Sequence, residues 1–398
     1  MEPIYLDNHA TTKPDPRVVE SMLPYLVDIY GNASSRQHEY GWKAEAAVEW
    51  GRGQLASLLG ARAGEIVFTG GATESINLSL KGACAAAPRG KRHVVSVATE
   101  HRAVLDVMDE LSRAGYVVSI APVDHSGLVS PEVLEDLITD ETVLVSVMLA
   151  NNEIGTLGPV ADIAARCHRR GVLVHTDATQ AVGHILVNVE HLGVDLLSCS
   201  AHKMYGPKGV GALYVRGGSG AGLLRPQMHG GGQERGLRSG TPNVPGIVGF
   251  GRAAQIAREE MEMESVRVGG MRDLLVERLR EALPDITENG CLDRRLPHNA
   301  SITFHGALAD AVMMAMKGVA VSSGSACSSN LALPSHVLQA IGLDREAVLS
   351  TVRFGLSRFT TADEIAAAAD RTAAAVIEVR SKRPVRWRSA VNEEQPKG

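Results

Sequence analysis

The sequence predicts an α/β fold, a mostly parallel sheet covered by helices, followed by a smaller α+β domain. Three features carry this prediction. From about residue 65, short apolar runs alternate with longer amphipathic stretches in a βαβ rhythm. A lysine, Lys203, stands in a turn-rich stretch between two apolar runs, Val194-Asp195-Leu196-Leu197 and Ala212-Leu213-Tyr214-Val215. After a glycine-rich passage at 229–246 the pattern changes to one long helical stretch and a few short strands. At 398 residues the chain exceeds the size at which one hydrophobic core stops growing, so a large and a smaller domain are expected.

Taken in order, the first dozen residues are expected to pack near the site rather than in the sheet. Ile66-Val67-Phe68 reads as a strand, with a helix at 73–87. Val94-Val95-Ser96-Val97 is followed by a helix at 101–114, and Val117-Val118-Ser119-Ile120 by one at 131–139. Val143-Leu144-Val145-Ser146-Val147 precedes a helix near 160–170, and Val172-Leu173-Val174-His175 leads to the pair of strands around Lys203. Beyond the glycines come a helix at about 246–283, a strand at Ser301-Ile302-Thr303-Phe304 and a helix at 307–317. Short strands follow at 319–322 and 351–356, then an alanine-rich helix at 361–379. The tail beyond Pro384 has little to bury.

Hydrophobic residues at 44% and charged residues at 21% describe an ordinary globular protein. No apolar run approaches the ~20 residues of a membrane helix. The start Met1-Glu2-Pro3-Ile4-Tyr5-Leu6-Asp7 lacks the basic and apolar regions of a signal peptide, so a cytoplasmic protein is expected. Cys84, Cys167, Cys199, Cys291 and Cys327 form no CxxC pair and are odd in number, so neither a metal site nor a disulfide framework is indicated. A formal charge of −5 gives no support for direct nucleic-acid binding by the whole surface. The basic run Arg380–Arg388 around Trp387 reads either as a solvated tail or as a dock for an acidic partner or a nucleic-acid complex.

Ligands of such sheets sit beyond the carboxyl ends of the strands, so residues there are the candidates for chemistry. Lys203, flanked by Ser200, His202 and glycines, can have its pKa lowered enough to form a Schiff base, which suggests pyridoxal phosphate; a surface lysine is the alternative. Thr69-Gly70-Gly71-Ala72-Thr73 ends a strand and opens a helix, where free N–H groups suit a phosphate or simply an N-cap. Asp177 ends an apolar strand and needs a cation, such as a protonated pyridine nitrogen, unless it caps a helix. Gln180, three residues on, can reach the ring's phenolic oxygen. His101 can stack on a ring or carry protons, and Asn152 can orient a substrate or mark a turn. Cys327, among serines and a glycine, reads as a mobile nucleophile or a linker thiol. Arg353, inside an apolar strand, needs an anion, either a substrate carboxylate or an internal partner. The stretch His229–Thr241 is a flexible loop or a backbone approaching a ligand or a second subunit.

Together, Tyr5-Leu6-Asp7-Asn8-His9-Ala10-Thr11-Thr12, Gly71-Ala72-Thr73-Glu74, Asn151-Asn152-Glu153, Asp177-Ala178-Thr179-Gln180, Ser200-Ala201-His202-Lys203, Arg238-Ser239-Gly240-Thr241 and Ser322-Ser323-Gly324-Ser325-Ala326-Cys327 resemble the cysteine desulfurases of the IscS/NifS type, a class V aminotransferase family. The likeness runs from about residue 4 to 380 in the expected order. It implies a fold-type I pyridoxal phosphate enzyme with a seven-stranded sheet, a homodimer, and conversion of L-cysteine to L-alanine with a persulfide left on the enzyme. It further implies an N-terminal segment at 1–14 packing near the small domain, a large domain at 15–255, a small domain at 256–380 and a loose tail at 381–398.

By position, the resemblance gives Lys203 the cofactor linkage, Asp177 the pyridine nitrogen, Gln180 the phenolic oxygen and His101 the ring face. It gives Thr73, Ser200 and His202 the phosphate, with Thr241 reaching it from the other subunit. Asn152 and Arg353 orient substrate, and Cys327 accepts sulfur. The chain departs from the family's pattern at Ala201, His9 and Ala332, and its C-terminal stretch does not resemble the extension that docks an iron–sulfur scaffold. Sulfur delivery to an acceptor protein for iron–sulfur assembly, tRNA thiolation or DNA phosphorothioation, the last as in the DndA type, is implied, and the missing extension adds weight to a dedicated role of the latter two kinds. A selenocysteine lyase or other β-eliminating enzyme is the nearest alternative, and a slow sulfur-relay platform is the rival from another class.

Overall fold

The computed structural model describes residues 3–323 and 334–382; Cys327 and the tail from Arg383 lie outside the described residues. The chain opens with β1 (Ile4–Tyr5), then helices α1 (Pro16–Val27) and α2 (Glu39–Leu59). Asp15 caps α1 and Pro16 fills its first turn, where a missing N–H costs nothing. α2 ends on Gly60, whose φ of +66° is the left-handed conformation that glycine adopts cheaply. Neither helix is predicted from the sequence; in α2 the first half buries Gly41, Ala44, Ala47 and Gly51 beside Val48, and the larger apolar residues Leu55, Leu58 and Leu59 come only in its last turns.

β2 (Ile66–Thr69), α3 (Ala72–Ala86), β3 (His93–Val97), α4 (Arg102–Arg113), β4 (Val117–Ala121) and α5 (Pro131–Asp136) follow. Then come β5 (Thr142–Ser146), α6 (Val160–Arg169), β6 (Leu173–Asp177), α7 (Val189–Leu192), β7 (Leu196–Ser200) and β8 (Gly211–Val215). These strands form the expected seven-stranded sheet in the order β2-β8-β7-β6-β5-β3-β4, with β8 alone running against the rest. Successive residues point to opposite faces, so Val94, Leu144 and Leu196 pack under α3 and α4, while Val95, Val145 and Leu197 pack on the other side. Helices on both faces explain why β5 to β8 are almost wholly buried and read as continuous apolar runs.

The rest of the chain is α8 (Val244–Ala282), β9 (Ile286–Glu288), β10 (Asn299–Phe304), α9 (Ala309–Ala315), β11 (Val319–Ala320), β12 (Ser322–Ser323), α10 (His336–Ala340), α11 (Arg345–Leu349), β13 (Thr351–Gly355) and α12 (Ala362–Ser381). A four-stranded antiparallel sheet, β12-β13-β10-β9, packs on the C-terminal half of α8 and on α12. The stretch read as one strand at 319–322 is two: β11 pairs with β1, and β12 pairs with β13. α8 serves both cores, with Val244 to Ala257 in the large one and Val268 to Leu279 in the small one. Ile4 and Leu6 also belong to the small core, which sends the next residues, His9 to Thr12, across to the lysine turn. Among the described residues no helix is long and apolar enough to cross a membrane.

Candidate active site

β7 ends at Ser200 and passes into a single tight turn, Ala201–Lys203, followed by Tyr205 at a φ of +64°. A non-glycine residue in that region needs its surroundings to hold it. They do: Thr12 Oγ1 accepts from Tyr205 N at 2.8 Å, Thr12 N donates to the His202 carbonyl at 3.0 Å, and the Tyr205 hydroxyl donates to Glu264 at 2.8 Å. The turn aims Lys203 Nζ at the carbonyls of His9 and Ala10, the second at 2.9 Å.

A cavity of about 1040 Å³ lies beyond the ends of β3, β5, β6 and β7. It brings together Thr73, His101, Asn152, Asp177, Gln180, Ser200, His202 and Lys203, which are most of the residues singled out in the sequence. At one end α3 presents the unbonded N–H groups of its first turn, a ready anion site. Gly211 makes that possible, because a Cβ there would stand 2.6 Å from the Gly71 backbone and push the helix start away. His202 is held neutral, its pKa lowered to about 4 by burial and by Lys203 and Lys208; its Nδ1 meets Thr11 Oγ1 at 3.1 Å.

At the other end Asp177, buried at the tip of β6, accepts from Thr179 N at 2.9 Å. Gln180 bonds His9 twice, Oε1 to the ring Nδ1 at 2.9 Å and Nε2 to its carbonyl at 3.1 Å. His101 caps α4, its Nδ1 accepting from Ala103 N at 3.1 Å, so the neutral ring carries its proton on Nε2. Burial lowers the His101 pKa against the pull of Asp177.

Three of the residues singled out stand elsewhere. Arg353 is fully buried but does not line the cavity. Its Nη2 donates to Asp7 Oδ1 at 3.0 Å and Ser322 Oγ at 2.7 Å, and its Nη1 to the Asn152 carbonyl at 2.9 Å. Of the two anions the sequence left open, this structure holds the internal one. Thr241 is exposed and off the cavity of its own chain. Cys327 lies outside the described residues. Of the other cysteines, Cys84, Cys167 and Cys199 are buried, which pushes each thiol up to about 12; Cys291 is part-exposed and off the cavity.

The glycine-rich stretch 229–241 is pinned rather than loose. Glu234 makes a buried ion pair with Arg52 at 2.7 Å, and Arg238 pairs with Glu74 at 2.7 Å on the cavity wall. No role is predicted from the sequence for His9, Glu100, His184 or His298. His9 lay within a motif that was noticed, but the other three carry no local signal.

A lysine amine between a helix N-terminus and a buried carboxylate fits pyridoxal phosphate: phosphate on α3 with Ser200 and His202, pyridine nitrogen on Asp177, and the aldehyde carbon at Lys203. Fold and donor set thus define a pyridoxal phosphate-dependent enzyme of fold type I. The comparisons specify it further. The aminotransferase class-V model matches residues 4–367. "Cysteine desulfurase IscS" of Anaeromyxobacter dehalogenans (strain 2CP-C) is 50% identical over 363 residues, 91% of this chain and 90% of the relative. A solved "NifS-like protein" superposes with a TM-score of 0.88 at 39% identity, over 94% of this chain and 100% of the other. DndA from Streptomyces lividans gives 0.75 at 37%, over 88% and 99%. The chain belongs to the aminotransferase class-V family and, within it, to the cysteine desulfurases.

Proposed function

We propose that this desulfurase moves the sulfur of L-cysteine onto Cys327, releases L-alanine, and passes the persulfide to an acceptor protein. The observation that carries the reading is the gathering of Lys203, Asp177, His101, Ser200, His202 and Thr73 around one cavity. Pyridoxal phosphate, when bound, supplies the electron sink that makes the substrate Cα–H acidic and the Cβ–S bond breakable. The Lys203 amine takes the Cα proton and returns it, exchanging its bonds to the His9 and Ala10 carbonyls for that work. His101, with its proton on Nε2, would hold the ring face of the cofactor and share the proton traffic.

Cys327 thiolate then attacks the substrate sulfur. An S–S bond forms as the Cβ–S bond breaks, the electron pair stays with the carbon fragment, and a proton completes L-alanine. The assignment of Cys327 is supported by the other thiols, since three are buried and held protonated and the fourth is off the cavity. Asn152 orients the substrate, and the substrate carboxylate competes with Asp7 for Nη2 of Arg353. Thr241, exposed on its own chain, is assigned to the phosphate of a second copy, which makes the working enzyme a homodimer. We place the enzyme in the cytoplasm, and the acceptor decides among iron–sulfur assembly, tRNA thiolation and DNA phosphorothioation.

Cys327→Ser tests the sulfur step. The variant is expected to stay yellow and change its absorbance on adding L-cysteine, yet release less than about a hundredth of the wild-type alanine, because a hydroxyl is a far weaker nucleophile than a thiolate. Persulfide is expected on wild type alone. Alanine release at the wild-type rate, or persulfide on another cysteine of the variant, would overturn the assignment.

A further inference from the structure

We propose that His9 and Asn299 are positioning residues that set the amide of Gln180, through a one-way chain of hydrogen bonds running from Arg295 to the cavity wall. The proposal rests on the reading that Gln180 meets the ring oxygen of the cofactor. Its direction follows from groups that have no choice. A guanidinium only donates, and Arg295 Nη2 reaches the Asn299 carbonyl at 3.2 Å and Asn299 Oδ1 at 3.4 Å. The oxygen end of the Asn299 amide therefore faces Arg295. Its Nδ2 end faces the Glu153 carbonyl at 3.2 Å and His9 Nε2 at 3.1 Å, so Nε2 accepts.

The neutral His9 ring then carries its proton on Nδ1 and donates it to Gln180 Oε1 at 2.9 Å. Gln180 Nε2 donates back to the His9 carbonyl at 3.1 Å, where the reversed amide would set two carbonyl oxygens against each other. What Gln180 can offer the cavity is therefore the second N–H of its amide, a donor suited to a phenolate oxygen. The same His9 carbonyl accepts from Lys203 Nζ, so one residue fixes both groups.

The ring cannot easily turn out of this arrangement. His298 stacks against His9 at 4.5 Å between centroids and against His184 at 3.9 Å, and His184 Nε2 donates to the Lys203 carbonyl at 2.7 Å. All three rings are buried. Burial holds His9 and His298 well below the usual histidine range. Arg353, Lys203, Arg358 and Arg272 oppose protonation across the stack, while Glu264 favours it at His184. The column stays neutral, as a donor–acceptor chain of this kind requires.

Two measurements on the holoenzyme test this. In a ¹⁵N-histidine-labelled sample, His9, assigned by the signal that His9→Asn removes, is expected as the Nδ1–H tautomer at neutral pH. An Nε2–H or doubly protonated His9 would overturn the proposal without any variant having to fold differently. The second readout is the pH midpoint at which the visible absorbance reports proton loss from the cofactor-bound nitrogen of Lys203. A hydrogen bond donated to the ring oxygen favours that loss, so His9→Phe, which stacks but donates nothing, is expected to raise the midpoint by about one pH unit. His9→Asn, whose amide nitrogen stands near the place of Nδ1, is expected to return most of it. Gln180→Leu separates the two layers. If it leaves the midpoint alone, the reading of Gln180 fails and the proposal with it; if it moves the midpoint and His9→Phe does not, the His9 chain alone fails.

Discussion

Two buried residues titrate in opposite senses. His175, pushed down to about 4 by burial, stays neutral in the fold while the unfolded chain takes up a proton below about 6.5, so its contribution to stability is lost as pH falls from about 6.5 to about 4. Glu100 does the reverse. Burial, and then the charge of Asp177, raise its pKa well above the usual carboxylate range, so its contribution is full below the unfolded value and is lost as pH rises. The backbone N–H groups of Met148 and His101 approach the carboxyl and oppose the shift without cancelling it. Glu100→Gln keeps the shape and removes the proton requirement. It is expected to gain stability over wild type above the usual glutamate pKa, at up to about 1.4 kcal/mol per pH unit, and to match it near pH 4.5. Urea titrations at pH 4.5, 6 and 7.5 check this; a difference that does not change with pH would mean that Glu100 is charged in the fold.

At the scale of elements, the anion site depends on how close α3 lies to β8, and Gly211 sets that distance. Gly211→Ala places a methyl 2.6 Å from backbone atoms of Gly71 and 2.8 Å from the Cys199 carbonyl, none of which can rotate away. An overpacked contact of this kind costs about 1–3 kcal/mol, and here it falls on the helix start that holds the phosphate. Equilibrium dialysis with pyridoxal phosphate is expected to show about tenfold weaker retention or more, and wild-type retention would show that the phosphate sits elsewhere. The strands and the lysine turn were legible in the sequence because apolar runs of strand length and glycines have few other uses. α2 was not, because the buried face of its first half is small residues apart from Val48, and neither was the split of 319–322, because two residues carry no periodicity. The site was legible where its residues lay within motifs, as at Asp177 and Lys203. It was not where they meet only in space: positions 9, 184 and 298 share no spacing, and the stack they form exists only after folding.

At the scale of the whole molecule, the two cores meet at the lysine turn, and Arg358 is the cation that closes the contact. It follows β13 of the small sheet, pairs with Asp15 at 3.0 Å and Glu264 at 2.8 Å, and lies 4.0 Å from the centre of the Tyr205 ring. Its own backbone N–H donates to the Tyr205 hydroxyl at 2.9 Å. Asp15 keeps Arg17 when Arg358 is removed, but Glu264, almost buried, loses its cation and the Tyr205 ring loses its cover. Breaking one side of a buried ion pair costs about 3 kcal/mol or more, because the remaining charge stays out of water. Arg358→Ala is therefore expected to lower the urea unfolding free energy by about that amount, and Arg358→Lys to recover less than about half of it, since one ammonium cannot fork between two carboxylates. The effect should reach the site, because Tyr205 is the strained residue two places from Lys203. In the alanine variant, the visible absorbance of the bound cofactor is expected to be lost at a lower urea concentration than the far-ultraviolet helix signal. If both signals fall together and the loss is under about 1 kcal/mol, Arg358 is an ordinary surface-type pair and the lysine turn is held from its own domain alone.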